Sequence, residues 1–530
     1  MKGLQKLITF AGYCLTLVGC AVGLPESYTQ KDELPAIYPD YTDVTIPVNI
    51  APLSFLIDQE ADDAIVRYSH DNDEILCSGL KAQPSISEWK ELTAKTAGSD
   101  ITVEVYTKND GQWTRFKPFS FHVSKDSIDP YISYRLISPS YVTYEELTLN
   151  QRCLENYDEK VMVDNILCCT EKDGQCVNCH NYQQYNAQRM QFHARQNHGG
   201  TVIAYDGQIK KVNLKSDSTI SAGVYPAWHP TLPLIVYSTN NTSQSFHTRN
   251  LNKIEVSDSR SDLIIYDIEK NEVANVEKAP DEFECYPAWT PDGRTLYFVS
   301  AHFEYHDSID EATEQYLRAT DFKYNIYRKS FDPSKRCFGP REIVFRADSL
   351  YASFMNLPDS IGKDTIGLSA TLPRISPDGR FLLFTLGRYG VFHIWHHEAD
   401  LYLMNLSDGT VRALDEVNSN DTESYHSWSS NGRWIIVSSR RNDGNFTRPF
   451  IAHIDADGRG SKAFELPQKD PGYHRELMKS YNIPEFMRGP VTITPQEFAD
   501  VLLSEDEVPP ARFVSLPTSS AYSSLPSDLR

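Results

Sequence analysis

Residues 286–300 read Tyr-Pro-Ala-Trp-Thr-Pro-Asp-Gly-Arg-Thr-Leu-Tyr-Phe-Val-Ser. This is a short strand, a tight turn and a strongly apolar second strand. Pro291 fixes φ at the first corner of the turn, and Gly293 accepts the positive φ that follows. Three other segments repeat the pattern: Tyr225-Pro-Ala-Trp-His-Pro-Thr231 before Leu234–Ser238, Leu372-Pro-Arg-Ile-Ser-Pro-Asp-Gly379 before Phe381–Thr385, and Tyr425-His-Ser-Trp-Ser-Ser-Asn-Gly432 before Trp434–Ser438. Further strands follow in most units, at Asp262–Ile268, Asn325–Ser330, Asp400–Leu406 and Pro449–Asp455. Short strands recurring at a period near 50 residues are the sequence form of propeller blades.

The stretch 287–300 resembles the repeats of TolB-type β-propellers of bacterial envelope proteins. His229 stands where that repeat has Ser or Thr, and Arg374-Ile375 replaces Ala-Trp. The resemblance implies about six blades, with the Trp and Pro packing between blades. Four blades are plain in the sequence. A fifth is expected over Met190–Leu214, where MQFHAR and TVIAYDG would pair, and a sixth from residues around Phe338–Ala347. The expected fold is all-β, with the propeller over 189–466. Residues 304–320 and 348–371 are too long for tight turns and should decorate one face. Residues 467–530 read as a C-terminal extension, packed at first and disordered from Pro509.

Upstream, residues 45–140 read as a separate β-sandwich-like domain. Its expected strands are Thr45–Leu56, Ala64–Ser69, Ile101–Thr107, Trp113–Val123 and Ile132–Ile137, with Asn109-Asp-Gly111 as a hairpin turn. It carries no catalytic pattern and reads as a spacer.

Residues 1–19 look like a leader. Lys2 and Lys6 precede an apolar run, Leu7–Val18, which is too short to anchor as a spanning helix. The run ends in Leu17-Val18-Gly19-Cys20, which resembles the lipobox of bacterial lipoproteins. On this reading Cys20 becomes the lipidated N-terminus, residues 20–44 are a linker, and the protein is an outer-membrane lipoprotein. Its membrane partner is reached through the anchor, in an oxidising compartment. The chain has 72 acidic and 51 basic residues, a net charge of −21. Loss of Lys2 and Lys6 takes −21 to −23. Such a charge excludes nucleic acid as a partner, because phosphate binding needs a basic face.

Between the two domains, in a segment placed at 141–188, stands Cys176-Val-Asn-Cys-His180. C-x-x-C-H is the attachment motif for c-type haem. Two thiols on one turn reach the two vinyl groups of a porphyrin, and the imidazole follows as an axial iron ligand. The other readings of the two thiols are a disulfide and a zinc site. Cys153, Cys168 and Cys169 are expected in disulfides. The wider context, with Met190-Gln-Phe-His-Ala-Arg195 and Gly199-Gly-Thr201, resembles secreted propeller proteins of Bacteroidetes-type bacteria that are loosely labelled cytochrome c or cytochrome c biogenesis related. There Ser often stands where this chain has Asn181. The resemblance covers roughly 140–488 and implies one covalent haem c. For the sixth iron ligand His193 is preferred, with Met190 or an open position as alternatives. Arg195 is a candidate partner for a haem propionate.

Other candidates weigh less. His396-His397 with Glu398 and Asp400 looks like a ligand set but reads as a solvated turn, and His302 with His306 lies in an acidic insertion. No G-x-S-x-G elbow or Gly-rich phosphate loop is present, so an electron carrier or binding protein is favoured over a hydrolase. Two functions follow: an exported haem lipoprotein in electron transfer or another redox-linked envelope role, or a haem-free propeller scaffold that binds a protein or glycan partner on the propeller face.

Overall fold

The computed structural model describes residues 23–138, 146–168, 176–249, 251–306, 309–355, 366–504 and 508–517. Cys14, Cys20, Cys169 and the tail 518–530 lie outside these residues.

Six four-stranded antiparallel blades surround one axis. Blade 1 is Cys176–Tyr182, Met190–Arg195, Gly200–Tyr205 and Gln208–Val212. Blades 2 to 5 begin with inner strands Val224–Trp228, Glu282–Trp289, Ser369–Ile375 and Glu423–Trp428. These are the four repeats legible in the sequence. Inner strands of successive blades lie side by side, and the ring closes where the last meets Cys176–Tyr182.

Blade 6 corrects the expected boundaries. Its inner strand is Ser480–Met487, from the supposed C-terminal extension. Its other three strands are Tyr131–Ile137, Thr148–Cys153 and Glu159–Asp164, from the supposed sandwich and haem segment. The propeller therefore takes in residues on both sides of 189–466, and its two ends are joined within one sheet. Residues 141–188 are not a separate unit. Nor does Phe338–Ala347 make a sixth blade; Cys337–Phe345 is the outer strand of blade 3. The tail beyond Pro509 is ordered for a few residues, since Arg512–Phe513 pairs in parallel with the outer strand of blade 2.

All six inner strands kink at one place. Cys179, Tyr225, Tyr286, Leu372, Tyr425 and Ile483 have φ of 54°, 48°, 50°, 54°, 50° and 51°. Strand register slips at each of these kinks. A left-handed residue inserted in a strand makes a bulge and re-aims the side chains that follow. The residue two places on the C-terminal side faces the axis mouth, and in blades 2, 3 and 5 the Trp after it packs against the preceding blade. Trp289 Nε1 donates to the Ala227 carbonyl at 3.2 Å and Trp428 Nε1 to the Arg374 carbonyl at 3.2 Å. Trp228 stacks on Tyr205.

The N-terminal β domain has a seven-stranded sheet and a three-stranded sheet. The helix Ile86–Thr96 was not expected; Ser85 caps it by accepting from the Glu88 amide. Trp89 on this helix is fully buried and donates to the Ile50 carbonyl. The domain is more than a spacer. Its core runs without a break into Trp434, Ile436, Ile451 and Phe464 of blade 5. Asp129 accepts from the Ser430 amide at 2.6 Å and its hydroxyl at 2.7 Å, and Trp434 Nε1 donates to the Asp126 carbonyl.

Candidate functional site

Aligned on the kink, the six inner strands read Cys179-His-Asn-Tyr182, Tyr225-Pro-Ala-Trp228, Tyr286-Pro-Ala-Trp289, Leu372-Pro-Arg-Ile375, Tyr425-His-Ser-Trp428 and Ile483-Pro-Glu-Phe486. The second half of the haem motif thus occupies the place of Tyr-Pro in the repeat. The motif is a strand, not a helical turn.

Its side chains go to different places. Cys176 packs in an apolar cluster with Val177, Met190, Phe192 and Phe498. Cys179 and His180 line a cavity on the axis, together with Tyr225, Tyr286 and Tyr425. Its volume is about 30 Å³. Burial pushes the Cys179 thiol up and pushes His180 down to about 3, with the Arg135 charge adding to the latter. Neither ring nitrogen of His180 has a well-formed hydrogen bond among the described residues; the Ser133 and Ile483 backbones are polar groups that act on the ring.

Met190 is core. His193 is buried on the second strand of blade 1, with Nδ1 3.2 Å from Thr201 Oγ1 and its pKa pushed by burial to about 3. Arg195 is exposed at that strand's end, and its charge acts on buried Asp258. A c-type haem does not fit these residues as they are folded. A cavity of about 30 Å³ holds a water or two, whereas a drug-sized ligand needs several hundred Å³ or more. Among the described residues no three His, Cys, Asp or Glu side chains converge on a metal position.

The disulfide expected of Cys153 is not formed among the described residues: Cys153 is a buried free thiol, as are Cys77, Cys285 and Cys337. Cys168 is buried as well. His396 is not in a solvated turn. It is fully buried, with Nε2 3.2 Å from Glu255 Oε2. Burial pulls its pKa down, but the Glu255 charge and hydrogen bond outweigh it and raise it. His302 Nδ1 lies 3.5 Å from Glu282 Oε1, and His306 Nδ1 lies 2.5 Å from Glu314 Oε1.

The aligned strands expose a site that motif reading passed over. One position beyond the Pro stand Asn181, Ala227, Ala288, Arg374, Ser427 and Glu485. The three largest polar members of this ring meet. Arg374 Nη2 donates to Glu485 Oε1 at 3.1 Å, and Asn181 Nδ2 donates to the same oxygen at 3.2 Å. Burial raises the Glu485 pKa, while Arg374 and Asn181 pull it down. These three side chains form the floor of a funnel of about 270 Å³ that opens between the Pro-containing turns. Its wall includes Pro230, Pro291, Pro377 and Arg488. The sequence signal is Arg374 at the Ala position of the repeat. Glu485 carried no signal, because its strand was not recognised as a repeat.

No family model matches the chain, and no curated protein matches it. Among solved structures it is similar to TolB from Acinetobacter baumannii, at 13% identity over 76% of this chain and 85% of that one, with a TM-score of 0.40. It is also similar to the periplasmic gluconolactonase PpgL of Pseudomonas aeruginosa, at 11% identity over 68% of this chain and 100% of that one, with a TM-score of 0.33. A third is a 6-phosphogluconolactonase-like protein of Bacteroides fragilis, at 12% identity over 64% and 96%, with a TM-score of 0.27.

Proposed function

We propose that this chain is a haem-free binding propeller of the cell envelope that holds a partner in the funnel on the turn side of the disc. The observation that carries the reading is the funnel floor. At the ring position where the repeat has a small residue, blades 1, 4 and 6 supply Asn181, Arg374 and Glu485, and the three meet. Packing alone does not call for a charged pair there, since taking charges out of water is costly. A recess lined by a few convergent polar groups and perturbed carboxylates is the usual form of a binding site.

Envelope location is supported by Leu17-Val18-Gly19-Cys20, which resembles a lipobox. The electron-transfer reading depends on haem; the haem-free reading is favoured here because Cys176 packs in an apolar cluster while Cys179 and His180 line the axis cavity. In the funnel Glu485 is held by Arg374 and Asn181, an arrangement that favours binding.

The test is photo-cross-linking in cells. A cross-linking amino acid at Gln184, on the funnel wall, should capture an envelope component. The same residue at Glu342, on the outer edge of blade 3, should capture none. Equal capture at both positions, or none at Gln184, would refute the reading.

A further inference from the structure

Next to the funnel lies a second chamber of about 640 Å³. The two share Gln184, Tyr185, Pro230 and Arg488, so they form one groove. The second chamber is walled by the turn after Tyr182 and by residues 488–492, and no carboxylate lines it. This occurs on a chain of net charge −21.

Most polar side chains on this wall are committed. Gln183 Nε2 donates to the His229 and Leu232 carbonyls. Gln188 Nε2 donates to the Pro490 carbonyl, and its Oε1 accepts from Thr492. Arg189 pairs with Asp206 at 2.7 Å. Three are not committed. Gln184 makes no side-chain hydrogen bond to a described residue, nor does Asn186 Nδ2. Arg488 lies 5.6 Å over the Tyr185 ring and has no carboxylate within ion-pair distance among the described residues. All three are exposed. Gln184 and Tyr185 both hold left-handed backbones, with φ of 49° and 62°. Two such non-glycine residues in a row cost free energy and persist only where the surroundings impose them. Here the Tyr185 carbonyl accepts from the Arg488 amide at 3.0 Å, which ties the strained turn to the arginine.

We infer that this groove binds an acidic glycan, with Arg488 taking a carboxylate and the Gln184 and Asn186 amides taking hydroxyls. An amide offers donor and acceptor side by side, which suits a hydroxyl that is both. A guanidinium takes a carboxylate through two parallel hydrogen bonds. A peptide that adds as an extra strand suits the groove less, because the chamber is walled by turns and offers no free strand edge. The inference rests on the funnel being the partner site.

The test is calorimetric titration of the full chain with three probes: an alginate hexasaccharide, maltohexaose and hexaglutamate. The alginate hexasaccharide should bind and maltohexaose should not. Arg488→Ala should weaken binding by about tenfold or more and remove most of its salt dependence. Arg488→Lys should retain part of it. Arg488 is exposed, so these variants should unfold as the wild type does. Absence of alginate binding, equal binding of maltohexaose, or tighter binding of hexaglutamate would each overturn the inference. Capture at Gln184 without alginate binding would reject the acidic glycan and leave the funnel reading standing.

Discussion

The carboxylate of Glu485, near the end of the last inner strand, lies 3.1 Å from the guanidinium of Arg374 in blade 4. The side chains are 13% and 28% exposed respectively, so the pair is largely withdrawn from water. Removing one partner leaves the other charge uncompensated. Arg374→Ala should therefore cost about 2 kcal/mol in urea unfolding, and Arg374→Ala with Glu485→Gln should cost less than the sum of the single changes. The carboxyl pKa, already raised by burial, should rise further in Arg374→Ala. A carboxyl raised in the folded state costs stability above its unfolded pKa, so the defect should grow with rising pH through the acid range.

The two cysteines of the C-x-x-C-H motif should respond differently to one substitution. Cys179 has φ of 54°, where a β-branched residue is strained. Cys176 sits in an apolar cluster within a strand. Cys179→Val should lower stability by about 1–2 kcal/mol, and Cys176→Val should stay within about 0.5 kcal/mol of the wild type. Thermal unfolding of the two variants checks this. Equal losses would argue against the kink at Cys179.

Glu284 predicts a pH dependence. It is fully buried, and neither carboxylate oxygen has a hydrogen-bond partner among the described residues. The equivalent Glu423 in blade 5 accepts from Ser439, Ser419 and Arg441. In blade 3 the serine at that place, Ser300, donates to Glu282 instead. Burial, with the charges of Glu277, Asp262 and Glu282, raises the Glu284 pKa from 4.5 to about 9. Between these values the folded state holds a proton that the unfolded state has released. Stability should therefore fall as pH rises from about 4.5 to 9. Glu284→Gln should flatten that slope and add roughly 3 kcal/mol at pH 7. Unfolding midpoints between pH 5 and 9 check it, and an unchanged slope would contradict it.

Closure of the ring predicts unequal truncations. A chain ending at residue 479 lacks the inner strand of blade 6, Ser480–Met487, and should not fold. A chain ending at residue 517 should unfold at the wild-type temperature. Circular dichroism of both shows the difference.

Four blades were legible because their turns repeat a Pro-Asp-Gly-like signal ahead of an apolar run. The other two were hidden for separate physical reasons. In blade 1, Cys179-His180 replaces Tyr-Pro, and a left-handed kink needs no particular side chain as long as the surroundings hold it. The second half of the motif forms the bulge of blade 1. In blade 6, the inner strand and its three neighbours are separated by more than 300 residues, and pairing at that distance leaves no local pattern. The helix Ile86–Thr96 was overlooked because its apolar face, Trp89 and Leu92, is short and lies amid strands. Within the site, Arg374 was visible as a departure from the repeat. Asn181 and Glu485 became meaningful only once all six strands were aligned.

Cys176, Cys179 and His180 lie in the inner strand of blade 1, and we propose that they carry no haem. A pyridine haemochrome spectrum tests it most directly, on the full chain expressed and exported together with a c-type haem maturation system. The account predicts no covalent haem in the purified protein and two titratable thiols at Cys176 and Cys179 after unfolding. One covalent haem per chain, lost in Cys176→Ser with Cys179→Ser, would contradict it.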